Sequence, residues 1–219
     1  MLPWQQIDTV LLDMDGTLLD LHFDNHLWLT KVPLEISQVH QVSLAQAKQM
    51  VETAYYEVAG TLNWYSLDYW QQRFNIDIIA LHHASTENIQ LRADCMPFLS
   101  SLKTMKKNRI LATNAHPESL ALKLEHTCLA EGLDDMISSH ETGYPKENPK
   151  FWVALFERFS LDPSRCLFID DNENILKASQ KAGVGFQLGI QNPDSQMPHK
   201  SYVDCLSTHD LTHILPTIN

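Results

Sequence analysis

The sequence predicts an α/β protein, a doubly wound parallel sheet interrupted after its first strand by an all-helical insertion. Three observations carry this. Val10-Leu11-Leu12 is an unbroken apolar run ending in Asp13, and Cys166–Ile169 is a second one ending in Asp170-Asp171. Continuous rather than alternating apolar runs suit strands buried on both faces of a parallel sheet. From Asp94 onward strand-like and helix-like segments alternate, which implies right-handed crossovers. Between residues 18 and 92 only helical spacing is found.

Taken in order, Ile7–Asp13 reads as the first strand. In the insertion, Pro33 marks a helix start. Ser43 is an N-cap for a helix in which Leu44, Ala47, Val51, Ala54, Tyr55 and Val58 recur at helical spacing, and Gly60 closes it. A dense apolar stretch, Leu62–Trp70, follows, and Ser85 is positioned to cap a further helix to Arg92. Pro97 then opens a helix through Lys107, and Arg109–Thr113 is a short strand. Pro117 opens a helix that stops before Gly132, and Asp135–Ser139 is a weaker strand. Pro149–Ser160 is a helix and Cys166–Asp170 a strand. Glu173–Ala182 is a helix closed by Gly183, and Val184–Leu188 is the next strand. The tail predicts turns and a short helix near Leu211. The domains expected are therefore a core of residues 1–17 and 94–219 and a helical cap of residues 18–93.

The composition excludes several classes. A net charge of −11 leaves no basic footprint for nucleic acid and no polybasic membrane patch. With 44% hydrophobic and 20% charged residues the chain reads as globular rather than disordered. The four cysteines are scattered without a CxxC, which offers neither a zinc ribbon nor a thioredoxin-like motif. Cys166 reads as a small core residue. No secretory signal and no membrane span is read, so a reduced, cytoplasmic protein is expected, with a monomer compatible and the oligomeric state open. Neither GxxxxGK[ST] nor GxGxxG occurs, so a nucleotide would not be gripped in those ways.

The chemistry collects where strands end. Asp13 and Asp15 follow the first strand, with Gly16 for a sharp turn and Thr17 beyond. Two carboxylates so close raise each other's pKa unless a cation or a proton holds them. Thr113-Asn114 end another strand, Asp170-Asp171 a third, and Lys146 lies in a polar loop just before the helix at Pro149. Parallel strands bring these ends to one edge, where open α/β sheets bind ligands. Carboxylates without His or Cys are hard oxygen ligands that suit Mg²⁺. Mg²⁺, lysine and a hydroxyl together match the demands of phosphoryl transfer.

Asp13-Met14-Asp15-Gly16-Thr17, Thr113-Asn114, Lys146 and Asp170-Asp171 resemble, in order, the four motifs of the haloacid dehalogenase superfamily. The resemblance covers the whole chain, with a helical cap in the first insertion position. The stretches LLDMDGTLLDL, LNWYSLDYW, TNAHP, KLEHT, GYPKE and LFIDD are similar to the purine 5′-nucleotidases of that superfamily that hydrolyse GMP and IMP. The resemblance implies a Mg²⁺-dependent phosphomonoester hydrolase acting on a purine nucleoside monophosphate. It implies Asp13 as the nucleophile that becomes an aspartyl-phosphate and Asp15 as general acid and then base. It also implies that Asp15 lends its backbone carbonyl to the metal and that Asp170 and Asp171 hold it. Thr113, Asn114 and Lys146 would bind the phosphoryl group. The third motif often continues Lys-Pro, whereas Glu147 follows Lys146 here, and Lys150 is the alternative lysine.

Other readings stand beside these. A sugar-phosphate phosphatase or phosphomutase shares all four motifs, and a non-catalytic phosphate-binding or partner protein shares the fold. A 2-haloacid dehalogenase has no use for the acid at Asp15. Asp170-Asp171 alone would also serve to cap the helix at Glu173. Trp64, Tyr65, Tyr69 and Trp70 read first as cap core and second as a stacking surface for a base. His22, near the expected hinge, is placed to reach substrate. His82, His83 and His116 lack metal-ligand partners at the usual spacing and read as surface or capping residues.

Overall fold

Residues 2–216 are described by a computed structural model. Residue 1 and residues 217–219, which the sequence reading assigns to the core, lie outside the described residues. Among the described residues, one parallel sheet holds β1 (Thr9–Leu12), β2 (Asn108–Thr113), β3 (Asp135–Ser138), β4 (Cys166–Asp170), β5 (Phe186–Ile190) and β6 (Leu206–Thr208). The strand order is β3-β2-β1-β4-β5-β6, so the chain reverses direction across the sheet between β1 and β4. In this topology the crevice at the carboxyl ends of those two strands is the place for a ligand.

The helices are α1 (His22–His26), α2 (Val32–Val39), α3 (Leu44–Val58), α4 (Leu67–Phe74), α5 (Ile78–His83), α6 (Cys95–Thr104), α7 (Pro117–Glu125), α8 (Ser139–Thr142), α9 (Pro149–Phe159) and α10 (Glu173–Lys181). Both faces of the sheet are covered, which is why β1 carries no polar alternation. Val10 and Leu12 pack into a cluster with Phe98 and Leu102 of α6 and Leu122 of α7. Leu11, between them, packs on the other face with Phe151, Trp152 and Leu155 of α9. Helices α2 to α5 share a third cluster containing Ala47, Val51, Ala54, Val58 and Trp70. The insertion therefore buries its own apolar stripe. It joins the sheet domain through two antiparallel segments, in which the Asp20 amide donates to the Gln90 carbonyl and the Arg92 amide to the Leu18 carbonyl, both at 2.9 Å.

Several boundaries differ from the sequence reading, each for a local reason. Pro33 stands in the first turn of α2 as expected, but α2 continues directly from α1 through a π-turn at Leu27–Lys31 rather than starting afresh. The Ser85 hydroxyl donates back to the Leu81 carbonyl at 2.8 Å, so Ser85 finishes α5 and only a 3₁₀ turn, Thr86–Asn88, follows. Helix α7 stops at Glu125, where His126 Nδ1 and the Thr127 hydroxyl lie 2.9 and 2.7 Å from carbonyls of its last turns. β5 begins two residues later than expected. The Val184 amide closes the end of α10, and Gly185 passes so close to Ser164 that a Cβ would lie 2.2 Å from its carbonyl oxygen. The edge strand β6 has no sequence signal, being three residues long.

Candidate active site

Burial of β1 and β4 side by side fixes where the acids stand. Leu12 pairs with Ile169, and the Asp13 amide donates to the Ile169 carbonyl at 3.0 Å. Asp13 and Asp170 thus emerge level with each other at the carboxyl edge. Carboxylate oxygens of Asp13, Asp170 and Asp171 lie within 4.8 Å of one another. Gly16 makes room for this trio. Its φ is +86°, and a Cβ there would sit 2.9 Å from Asp171 Cγ and 2.9 Å from Pro193 Cβ.

Lys146 is the buried cation of the cluster. Its Nζ donates to Asp13 Oδ1 at 2.5 Å and to Asp170 Oδ2 at 2.8 Å. The loop that carries it is clamped from both sides. The Lys146 amide donates to Asn114 Oδ1 at 2.9 Å, and Trp152 Nε1 donates to the Lys146 carbonyl at 2.7 Å. Burial favours the neutral amine, but the two carboxylates outweigh it and hold Lys146 above the ordinary lysine range. Lys150 is exposed, with its ammonium over the Tyr144 ring. Glu147 leads the loop away without harm, accepting from Tyr65 Oη at 2.6 Å and from Asn114 Nδ2 at 3.2 Å.

Asp15 does not share the cation of Asp13. β1 ends at Leu12, so the strand rule that puts alternate residues on one side no longer applies. Asp15 turns to Lys123 of α7, whose Nζ donates to Asp15 Oδ1 at 2.7 Å and to both oxygens of Asp24 at 2.9 Å. The sequence reading missed Lys123 and Asp24. Lys123 sits in an ordinary run of leucines, and only the fold reveals that a lysine there is 1% exposed. Burial pushes Asp13 up to about 6, helped by Asp171 and Asp15 and opposed by Lys146. Burial and then Asp24 push Asp15 up to about 6 against the pull of Lys123. Asp170 is raised well above its ordinary value by burial. These are carboxylates short of positive charge, all oxygen donors, and the set fits a hard divalent cation.

Thr113 and Asn114 reach the same crevice. The Thr113 oxygen accepts from the Ala115 amide at 3.0 Å, which leaves its hydroxyl proton to donate elsewhere. The tail supplies two groups that the sequence did not suggest. Lys200 Nζ lies 2.7 Å from Asp171 Oδ2, and Tyr202 Oη donates to the Asp171 carbonyl at 2.7 Å. His22 stands apart from the wall of the crevice, 3.5 Å from Asp194.

Above the acids lies a cavity of about 490 Å³, within the range of small-molecule sites. Its floor includes Asp13, Asp15, Thr113, Asn114, Lys146, Asp170 and Asp171. Its roof is formed by aromatic side chains of the insertion, among them Trp28, Tyr55, Trp64, Tyr65 and Trp70. Trp70 serves both readings of the aromatic cluster, being core of the insertion and wall of the cavity. His116 caps α7, accepting from the Glu118 amide at 3.3 Å, and also lines the cavity. His83 is exposed, but His82 is not the surface residue expected. It is 2% exposed and faces the cavity.

Burial pushes the His82 imidazole down from 6.5 to about 4. The unfolded chain therefore takes up this proton first, and the stability of the neutral buried ring, complete above pH 6.5, is lost as pH falls towards 4. Relative to a His82→Phe variant, the wild type is expected to lose about 3 kcal/mol more unfolding free energy across that window. Urea titrations at several pH values read the difference, and parallel losses would show that the ring is not kept neutral by burial.

Residues 7–183 match the family described as hydrolase, haloacid dehalogenase-like hydrolase. The chain belongs to this family. It is 45% identical over 217 residues to the GMP/IMP nucleotidase YrfG of Escherichia coli strain K12, covering 99% of this chain and 98% of that protein. The same figures hold for the GMP/IMP nucleotidase YrfG of Shigella flexneri. Among solved structures, the hydrolase resembles an HAD phosphatase from Thermococcus onnurineus at a TM-score of 0.80 and 21% identity, with 95% of this chain and 96% of that one covered. It also resembles the L-2-haloacid dehalogenase of Xanthobacter autotrophicus at a TM-score of 0.62 and 12% identity, covering 94% and 95%. At such identities the structural likeness speaks for the fold alone. Among the described residues no helix is long and apolar enough to cross a membrane.

Proposed function

We propose that the chain is a Mg²⁺-dependent phosphomonoester hydrolase that converts purine nucleoside 5′-monophosphates, GMP and IMP among them, to nucleoside and phosphate. The observation that carries this is the placement of Asp13, Lys146 and the acidic trio directly beneath an aromatic-walled cavity. Relatives named GMP/IMP nucleotidase, 45% identical over nearly the full chain, support the substrate class. Residues 18–93 are assigned as the cap that carries the base-facing wall, and residues 1–17 and 94–219 as the core that carries the chemistry.

The residues divide the work. An Asp13 carboxylate oxygen attacks phosphorus, the bond from phosphorus to the sugar oxygen breaks, and Asp15 gives its proton to that leaving oxygen. Asp15, now a carboxylate, takes a proton from water, whose oxygen attacks the aspartyl-phosphate and returns Asp13. A pKa near 6 suits a group that must first donate and then accept. Lys146 neutralises Asp13 and the phosphoryl oxygens, and Thr113 and the Asn114 loop orient those oxygens. Asp13, Asp170 and Asp171, with the Asp15 carbonyl, would hold Mg²⁺, which when bound offsets the charge of the transferring group.

Phosphate release from a panel of nucleoside monophosphates and sugar phosphates tests the assignment. GMP and IMP are expected to lead, and EDTA is expected to suppress turnover until Mg²⁺ is restored. Equal rates for ribose 5-phosphate and GMP would remove the purine assignment, and no release from any monoester would remove the hydrolase assignment.

A further inference from the structure

Several polar groups on the insertion side of the cavity already have partners. Tyr65 Oη is held by Glu147 at 2.6 Å, Asn25 Nδ2 by Asp194 at 2.7 Å and Trp70 Nε1 by the Trp64 carbonyl at 2.8 Å. Tyr55 retains a hydroxyl that can rotate and serve as donor or acceptor, so it cannot by itself distinguish two ligand edges. His82 is different. Its Nδ1 lies 2.9 Å from the Ile78 carbonyl, which has only lone pairs to offer, so Nδ1 carries the hydrogen. Nε2 is then a lone pair, and it has no partner among the described residues. The bond to the Ile78 carbonyl sets which nitrogen faces which way, and Phe23 and Trp28 pack against the ring, with centroids 5.8 and 6.2 Å away. Burial keeps it from protonating, with Lys123, His83 and His116 acting in the same direction. The cavity wall thus contains a fixed hydrogen-bond acceptor that cannot become a donor at neutral pH.

We propose that His82 selects the base, its Nε2 accepting a hydrogen bond from the ring N1–H of a 6-oxopurine seated in the aromatic part of the cavity. The inference rests on the reading of the chain as a nucleotidase and adds the residue that sets its specificity. Hypoxanthine and guanine both carry N1–H. Adenine presents a lone pair at N1, which would face the lone pair of Nε2. One acceptor therefore admits IMP and GMP alike without using the 2-amino group, and rejects AMP. Leaving a buried lone pair against another lone pair is the kind of mismatch that discriminates strongly, more so than a missing methylene.

The test compares kcat/KM for IMP, AMP and the 5′-monophosphate of 1-methylinosine, in which a methyl group replaces the N1 hydrogen. In the wild type, IMP is expected to exceed both by about 10- to 100-fold. In His82→Phe the ratio of IMP to AMP is expected to fall by about the same factor, and the penalty for N1 methylation to disappear. Equal losses for IMP and AMP in the variant would overturn the proposal, as would wild-type turnover of the methylated nucleotide at the IMP rate. A methyl penalty that persists in the variant would trace to bulk rather than to the hydrogen bond, and would overturn it too. If His82→Phe does not fold, the wild-type comparison and His82→Gln carry the decision. Failure of the nucleotidase reading is distinguishable, because the wild type would then release phosphate from none of the three.

Discussion

Asp13→Asn is expected to lower phosphate release from GMP by about 10⁴-fold or more while the chain stays folded. The amide has nearly the shape of the carboxylate, so β1, the Lys146 loop and the cavity keep their geometry. What disappears is the group assigned as nucleophile. The charge it removes is one the protein holds at a cost, since burial and the neighbouring acids already push Asp13 up to about 6. Urea unfolding of the variant without metal should therefore show little loss of stability. Asp15→Asn provides the contrast. It leaves Asp13 able to attack but removes the group that activates water, so a slow enzyme carrying covalent phosphate is expected. Mass spectrometry of acid-quenched reactions reads that adduct, which Asp13→Asn must lack. If Asp13→Asn kept turnover within tenfold of the wild type, the attacking group would be water rather than Asp13, and the two-step assignment would fall.

Much of this site was legible because its chemistry violates the ordinary economy of a sequence. An apolar strand that runs straight into Asp13 and Asp15, and another that runs into Asp170-Asp171, place charge where the β1–β4 neighbourhood should be burying it. A parallel sheet converts those separate strand ends into one edge, so the acidic trio follows from topology. Lys146 and Thr113 were legible only through their order along the chain. Lys123 was not, because a lysine on α7 looks solvated until α1 and Phe23 close over it. Nor was the tail, whose Lys200 and Tyr202 reach Asp171 from a segment without a periodic pattern. His82 shows the same limit. Its place between Phe23 and Trp28 is set by packing between helices far apart in sequence, and no local spacing encodes it.

Removing the Lys146 ammonium should damage the fold as well as the chemistry. Lys146→Met keeps the length of the stem and its packing over Phe168, 5.4 Å from the ring centroid, but leaves Asp13 and Asp170 without their shared cation. Both acids are buried, and breaking a buried pair from one side typically costs about 3–5 kcal/mol, far more than an exposed ion pair contributes. The midpoint of urea unfolding in metal-free buffer is expected to fall accordingly, with Lys150→Met, on the exposed lysine four residues on, close to wild type. Mg²⁺ should recover part of the loss in Lys146→Met. A cation that binds only the folded carboxylates stabilises them by mass action, and those carboxylates have lost their internal competitor. Turnover should stay low even then, about 100-fold or more below wild type, because Mg²⁺ at the trio does not replace the ammonium that sits on the nucleophile. A Lys146→Met protein as stable as wild type without metal would show that protons, not the lysine, neutralise Asp13 and Asp170 in the resting enzyme.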